Sequence, residues 1–339
     1  MSCLRRLAVG FTAVLVCAGA SGEAFAWGAT GHRMIGVAAI RALPADLPDF
    51  LRGDAAATAM GELSREPDRS KGAGKAHDAD RDPGHFIDIG DDGRILGGPA
   101  IGNLPATREE YEGALRAVYT SSWRAGYLPY SIIEDWQQLT LDLAYWRVDV
   151  AATRNAPDPA HRAWFEADRK AREALVLSDL GALSHMVGDG SQPLHVSMHY
   201  NGWGPYPNPN GYTQEKVHTR FEGVFVRDNV TLEAVQAKLT PFHDCGCPIE
   251  RRTADYLTTT AATVIPFYEL QKAGAFTGSD ARGSGFAAGR LAAGASELRD
   301  LIVLAWTSSR TSQVGWPAAK VSDVEAGKID PYDSLFGED

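Results

Sequence analysis

Cysteine is scarce in this chain. Of its four cysteines, Cys3 and Cys17 fall in the first 26 residues, and Cys245 and Cys247 are separated by one glycine. So sparse a set excludes a fold stapled together by disulfides. The remaining pair reads as a local bridge or as free thiols; a two-cysteine zinc site is the alternative, and no catalytic role is assigned. Positive charge is also in deficit, with 33 Lys and Arg against 43 Asp and Glu and a net charge of −10. That balance argues against a protein that grips nucleic acid through basic side chains alone. It leaves anionic substrates open if bound metal ions supply the positive charge. Alternating apolar–polar runs are few, so a sheet-based core is not expected. Internal repeats and compositional linkers are missing as well. After the first 26 residues no long uninterrupted apolar run occurs, which excludes a helical membrane span there.

The first residues carry a different pattern. Arg5 and Arg6 precede an apolar run from Leu7 to Cys17, followed by Ala24-Phe25-Ala26. A basic start, a short apolar stretch and an A-x-A site read as a secretory signal peptide over 1–26. An uncleaved membrane anchor is the competing reading. Cleavage between Ala26 and Trp27 makes the protein secreted or periplasmic and leaves Trp27 with a free α-amino group.

The mature part reads as helix after helix. Residues 28–43 space Met34, Ile35, Val37, Ala38, Ala39 and Leu43 at helical intervals and stop at Pro44. Similar patterns cover 107–122, 131–152, 160–190, 213–227, 231–239, 251–272 and 286–309. Arg69 to Gly84 and the turn-rich NGWGPYPNPNG segment at 201–211 read as loops. With a composition ordinary for a globular protein, the expectation is one all-α domain over 27–310 and a polar, irregular tail over 311–339.

Four elements carry chemistry. In LSHMVGDGSQPLH, His185 and Asp189 are four residues apart, hence on one helix face, and His195 follows just beyond Pro193. A His and a carboxylate one turn apart suit a borderline metal such as zinc; a buried His beside an exposed Asp is the bland alternative. His218 and Glu222 repeat the four-residue spacing in KVHTRFEG, a spacing that solvated helix pairs also show. PGHFIDIG places His85 near Asp88, with Asp68 upstream in EPDR; a core histidine and a turn cap would look the same. WGATGH begins at the cleavage site, where the amino nitrogen and carbonyl oxygen of Trp27 can chelate a metal that His32 completes. A buried Trp and a surface His are the plainer reading.

Taken together in this order, the motifs resemble the zinc-dependent phospholipase C and single-strand-specific nuclease superfamily. The resemblance runs from Trp27 to about Arg310 and includes GRLAAGASELRDLI, similar to the family's last core helix. It implies an all-α fold built around three zinc ions. One ion would take Asp68, His85, His185 and Asp189; a second, His195, His218 and Glu222; a third, Trp27, His32 and Asp189 as a bridge. Asp88 would orient a ligand imidazole. A metal-activated hydroxide would attack phosphorus, Asp68 would orient or deprotonate it, and Lys71, standing where the nuclease branch has Arg, would assist the leaving oxygen. Lys keeps the charge of Arg but not its two-pronged geometry; a solvated loop lysine is the alternative.

The branches divide the remaining features. The short interval from Trp27 to His32 and the 23 residues from His195 to His218 resemble the nucleases. Glu222 as last ligand resembles the phospholipases, and Gly223 replaces the asparagine that the nucleases carry. The 17 residues from Asp68 to His85 exceed the usual interval, which leaves Asp78, Asp80 and Asp82 as competitors for the Asp68 role. Trp203 and Tyr206, in the aromatic loop, are the candidate substrate-binding residues. The favoured expectation is a secreted phosphodiesterase cleaving single-stranded DNA or RNA. A phospholipase C acting on phospholipid and a non-catalytic zinc-binding protein are the alternatives.

Overall fold

The computed structural model describes residues 27–337; the basic start, apolar run and cleavage site at 1–26 lie outside the described residues. Trp27 opens the first helix, α1 (Gly28–Arg41), which packs on α2 (Gly53–Leu63). Two short helices, α3 (Glu66–Arg69) and α4 (Lys75–Arg81), follow. The segment expected to be a loop at 69–84 therefore contains helix. Beyond them come α5 (Arg108–Ala117), α6 (Ser122–Ala125), and the two long helices α7 (Leu128–Asn155) and α8 (Pro159–Ser191).

Local chemistry explains these boundaries. Thr107 and Glu110 form a reciprocal capping box at the start of α5. Asp158 caps α8, with Pro159 in its first turn, where the missing N–H costs nothing. At the other end Pro193 cannot continue the ladder, so α8 stops at Ser191 and the chain turns sharply through Pro193–His195.

The remaining helices are α9 (Val226–Asn229), α10 (Leu232–Gln236), α11 (Ile249–Ala261), α12 (Val264–Lys272) and α13 (Ala281–Ser309). The expected helix at 213–227 is a partial success: 213–217 are not helical, and Arg220–Phe225 form a π-helix that runs into α9. The expected helix at 251–272 is broken between α11 and α12.

The long helices α7, α8 and α13 pack together and α1 lies against α8 and α13. Their facing sides bury Ile35, Leu139, Leu143, Leu183, Leu298 and Ile302. Each such side chain contributes roughly 1.5–3 kcal/mol on leaving water. The result is one mostly helical domain, as the sequence patterning anticipates. Among the described residues no helix is long and apolar enough to cross a membrane.

The segment expected to be an irregular tail is folded. Strands β1 (Gln313–Val314) and β2 (Ala319–Lys320) pair antiparallel, and α14 (Val321–Glu325) and α15 (Tyr332–Phe336) follow. Val314, Val321 and Val324 are buried with Val148 and Phe165 of α7 and α8. The polar composition of this stretch masked a small apolar set whose partners lie far back in the chain. Cys245 and Cys247 are joined in a disulfide.

Candidate metal centre

Six segments deliver eight ligand-type side chains to one place. Helix α1 brings His32, α3 brings Asp68, and a short 3-10 turn (Asp82–His85) brings His85. The end of α8 brings His185 and Asp189, and the turn after it His195. His218 and Glu222 come from the start of the π-helical segment, a geometry that recurs at functional sites. The approach of α1 to α8 requires Gly188: a Cβ there would lie 2.9 Å from His32 Nδ1.

These side chains form three groups able to hold a metal ion, each with ligand atoms within 4.8 Å of one another: His32, His185 and Asp189; Asp68, His85 and His185; His195, His218 and Glu222. Asp189 stands between the first two. Its Oδ1 is 3.4 Å from His32 Nε2, while Oδ2 is 3.0 Å from His85 Nδ1 and 3.4 Å from His185 Nε2. Its two oxygens thus face different groups, the arrangement a bridging carboxylate needs. In the third group His218 Nε2 lies 2.8 Å from Glu222 Oε2.

The imidazoles are aimed by backbone carbonyls. His185 Nδ1 is 2.9 Å from the Ser64 carbonyl and His195 Nδ1 2.7 Å from that of His85. A carbonyl only accepts, so each Nδ1 must carry the proton, and each Nε2 lone pair points into the cluster. Several inward atoms have no hydrogen-bond partner despite full burial: both nitrogens of His32, Asp189 Oδ1, His195 Nε2 and Glu222 Oε1. Buried polar atoms are rarely left so. Their concentration at one point, in a His and carboxylate set suited to divalent metals, fits a metal centre.

Electrostatics agree with that fit. Burial, aided by neighbouring imidazoles, holds His32 well below the ordinary histidine range, and burial holds His185 at about 3. Burial, Lys71 and the other imidazoles act likewise on His85. These rings therefore stay neutral, which is the ligating form. Burial and the nearby Asp68 push Asp189 well above the usual carboxylate range. Burial also works to raise Glu222, but His218 and His195 outweigh it and hold Glu222 at about 2.

Of the ligand residues expected from sequence, the eight side-chain members all reach the centre. Asp68, rather than Asp78, Asp80 or Asp82, joins His85 and His185. Trp27 is fully buried, its indole donating to Ser191 Oγ at 2.7 Å. Its carbonyl accepts from Gly31 N–H at 3.1 Å, closing the first helical turn. The free amino group expected there depends on cleavage outside the described residues. Lys71 Nζ sits 2.6 Å from Asp68 Oδ1 and lines the pocket over the centre.

Three expectations are corrected. Trp203 is a core residue, only 4% exposed, stacked on His199 at 3.7 Å and packed against Tyr212 and Tyr268. Tyr206 lines a neighbouring cavity instead of the one above the metal groups. Turn-forming residues carried Trp203 inward because its indole N–H finds a carbonyl, that of Pro207, at 2.8 Å. Asp88 makes no hydrogen bond to an imidazole among the described residues; the carbonyls of Ser64 and His85 do that orienting. Asp88 faces the pocket, where burial pushes its carboxyl up to about 8.

The pocket over the centre has a volume of about 410 Å³ and is bordered by His85, His195, His218, Lys71, Arg124, Phe86, Trp123 and Tyr200. Trp123 and Tyr200 are 65% and 52% exposed, so their ring faces are available to a ligand. Sequence reasoning gave no role to Tyr200, Trp123 or Arg124; the one signal of the last two was an adjacent aromatic and cation, which the structure places in the short helix α6. It also passed over Gln192. That side chain is fully buried, donates to Glu222 Oε2 at 3.2 Å and accepts from Leu194 N–H at 2.7 Å, tying the third group to the turn bearing His195. Comparison with protein-family models, curated proteins and solved structures gives no match to this chain.

Proposed function

We propose that this chain is a secreted, zinc-dependent phosphodiester hydrolase of the phospholipase C and single-strand nuclease type, with single-stranded DNA or RNA as substrate. The observation that carries this reading is the convergence of eight ligand side chains, seven of them buried and Asp68 half-buried, with Asp189 facing two of the groups, beneath a pocket rimmed by exposed aromatic rings and two cations. Three zinc ions would suit the donor set with the one free His185 nitrogen serving the ion of Asp68 and His85, Asp189 shared between that ion and the ion of His32, and the processed amino terminus of Trp27 completing the latter. Bound zinc supplies Lewis acidity and makes water a competent nucleophile at neutral pH.

The chain's own residues account for the rest. Asp68, at the edge of the centre and 2.6 Å from Lys71, is placed to orient an attacking water and accept its proton. Lys71 borders the same pocket and balances the charge of the reacting phosphodiester, while Arg124 at its rim adds a second cation toward the bound strand. The faces of Trp123 and Tyr200 suit base stacking, which tolerates any sequence. Asp88, holding its proton near neutral pH, offers both a donor and an acceptor to a base edge. The net negative charge of the chain then matters little, because Lys71, Arg124 and the metal ions that the groups would hold face the phosphate directly.

The same apolar rim would also suit a lipid, so the test runs both substrates. The processed, zinc-loaded protein is assayed on single-stranded nucleic acid and on phosphatidylcholine, with and without chelator. Chelator-sensitive cleavage of nucleic acid is expected. Chelator-sensitive release of phosphocholine alone would replace the substrate, and zinc binding without turnover on either would replace the enzyme by a metal-binding protein.

A further inference from the structure

A second cavity, of about 510 Å³, adjoins the pocket over the metal centre, and the two share Arg124 in their walls. We infer that this cavity is a second nucleotide subsite: it takes the base next to the one at the metal centre, and Arg124 holds the phosphate between them. The inference rests on the nuclease reading above and deepens it: the phosphate at Arg124 is not the one cleaved, so a strand engaging both the metal centre and this subsite needs at least three nucleotides, an oligomer instead of a dinucleotide or a head group.

The position of Arg124 is the first argument. It is an exposed residue whose side chain makes no hydrogen bond or ion pair among the described residues, at the junction of two cavities. A guanidinium there presents a planar fork matched to a phosphate. The walls of the second cavity are the second argument. Leu96 and Tyr206 supply apolar surface, while Asp91 and Asp92 add acceptors. Asp91 is already 3.0 Å from His199 Nε2, and Asp92 Oδ1 accepts from Arg94 N–H at 3.0 Å. Carboxylates repel phosphate from the interior but accept hydrogen bonds from base amino groups. The cavity therefore selects a base, with the phosphate kept outside at Arg124.

The third argument is backbone strain. Among the described residues the two non-glycine residues in the left-handed region are Leu96, at φ 43°, and Tyr119, at φ 59°. Both line this cavity. Such conformations are disfavoured for residues with a Cβ and concentrate at ligand-binding positions. Tyr119 is also 97% exposed, so nothing in the folded chain uses its ring. A strained residue that offers a bare aromatic face at a cavity mouth is suited to stacking on a base.

The test compares substrates of increasing length on the zinc-loaded protein: bis(4-nitrophenyl) phosphate, a dinucleotide, and single-stranded oligonucleotides of four or more nucleotides. Equilibrium binding of a non-hydrolysed phosphorothioate oligonucleotide supplies a readout independent of turnover. Wild type is expected to favour the longer strands. Tyr119→Ala raises KM and weakens oligonucleotide binding roughly tenfold, the scale of one lost stacking contact, with the small diester unaffected. Tyr119→Phe keeps the ring and restores the wild-type values, and Arg124→Gln weakens oligonucleotide binding while lessening its salt dependence. A wild type that cleaves nucleic acid with no length preference, or a Tyr119→Ala variant equal to wild type on long strands, overturns the subsite alone. A wild type that hydrolyses the small diester but no nucleic acid overturns the substrate reading and the subsite with it.

Discussion

Replacing Asp189 by asparagine separates a metal-bridging carboxylate from a merely buried one, because the two roles predict opposite changes in stability. The side chain is fully buried, and its two oxygens lie 3.0–3.4 Å from His32, His85 and His185. In the metal-free protein, burial and then Asp68 raise its pKa well above the ordinary 3.8. A carboxyl raised on folding holds its proton longer in the native state than in the unfolded one. Native stability is therefore lost as pH rises from about 4 toward the folded value. Asparagine does not titrate, so metal-free Asp189→Asn is expected to equal or exceed wild type at pH 7, with an advantage that grows with pH.

With metal the sign reverses. The carboxylate must ionise to ligate, so loading wild type with zinc releases a proton that the variant does not release. Loss of a shared anionic ligand should weaken two ions by at least the 10–100-fold seen when outer partners of metal ligands are removed. At free zinc about a hundredfold above Kd, each bound ion stabilises by about 2.7 kcal/mol, so losing two removes about 5 kcal/mol. For a chain of this size that is a fall in Tm of about 10 °C. Calorimetry with and without zinc, paired with metal analysis of the purified protein, reads both limbs. A variant that keeps wild-type metal content and the full thermal upshift refutes the bridging role. One that is several kcal/mol less stable without metal at every pH shows that the carboxylate is structural.

Gln192→Ala removes the buried donor to Glu222. It should cost about 1–3 kcal/mol and weaken zinc binding at the group of His195, His218 and Glu222 about 10–100-fold; an unchanged zinc titration would show that Glu222 needs no such support. Asp149 is buried with both oxygens lacking hydrogen-bond partners, and burial together with Asp168 pushes its carboxyl up to about 8. Native stability should thus fall as pH rises from about 4 to about 8, and Asp149→Asn should gain on wild type by about 2–4 kcal/mol between pH 5 and pH 8. Urea unfolding at the two pH values measures this, and a gap independent of pH would contradict it. A protein carrying one extra residue before Trp27 should bind one zinc fewer than the processed form; equal zinc content by elemental analysis would remove the amino terminus from the ligand set.

The features legible in the sequence are those set by local periodicity. His185 with Asp189, and His218 with Glu222, could be paired because residues four apart share a helix face, and Pro193 marked the end of α8 because a proline cannot extend the ladder. The helical character of the chain followed from apolar spacing in the same way. Contacts across long separations were not legible. That Asp189 faces His85 and His32 with separate oxygens depends on how α1 and α8 approach, which Gly188 permits. Trp203 and Trp123 look alike as tryptophans in turn-rich segments, yet one is buried against His199 and the other stands at the pocket rim. The tail beyond Thr311 seemed irregular because its few valines find their partners on α7 and α8. Periodicity records which side of an element is apolar or ligand-bearing; which distant element meets that side is decided by packing, and packing placed Asp189 between His32 and His85, the aromatic rim and the cavity beside it.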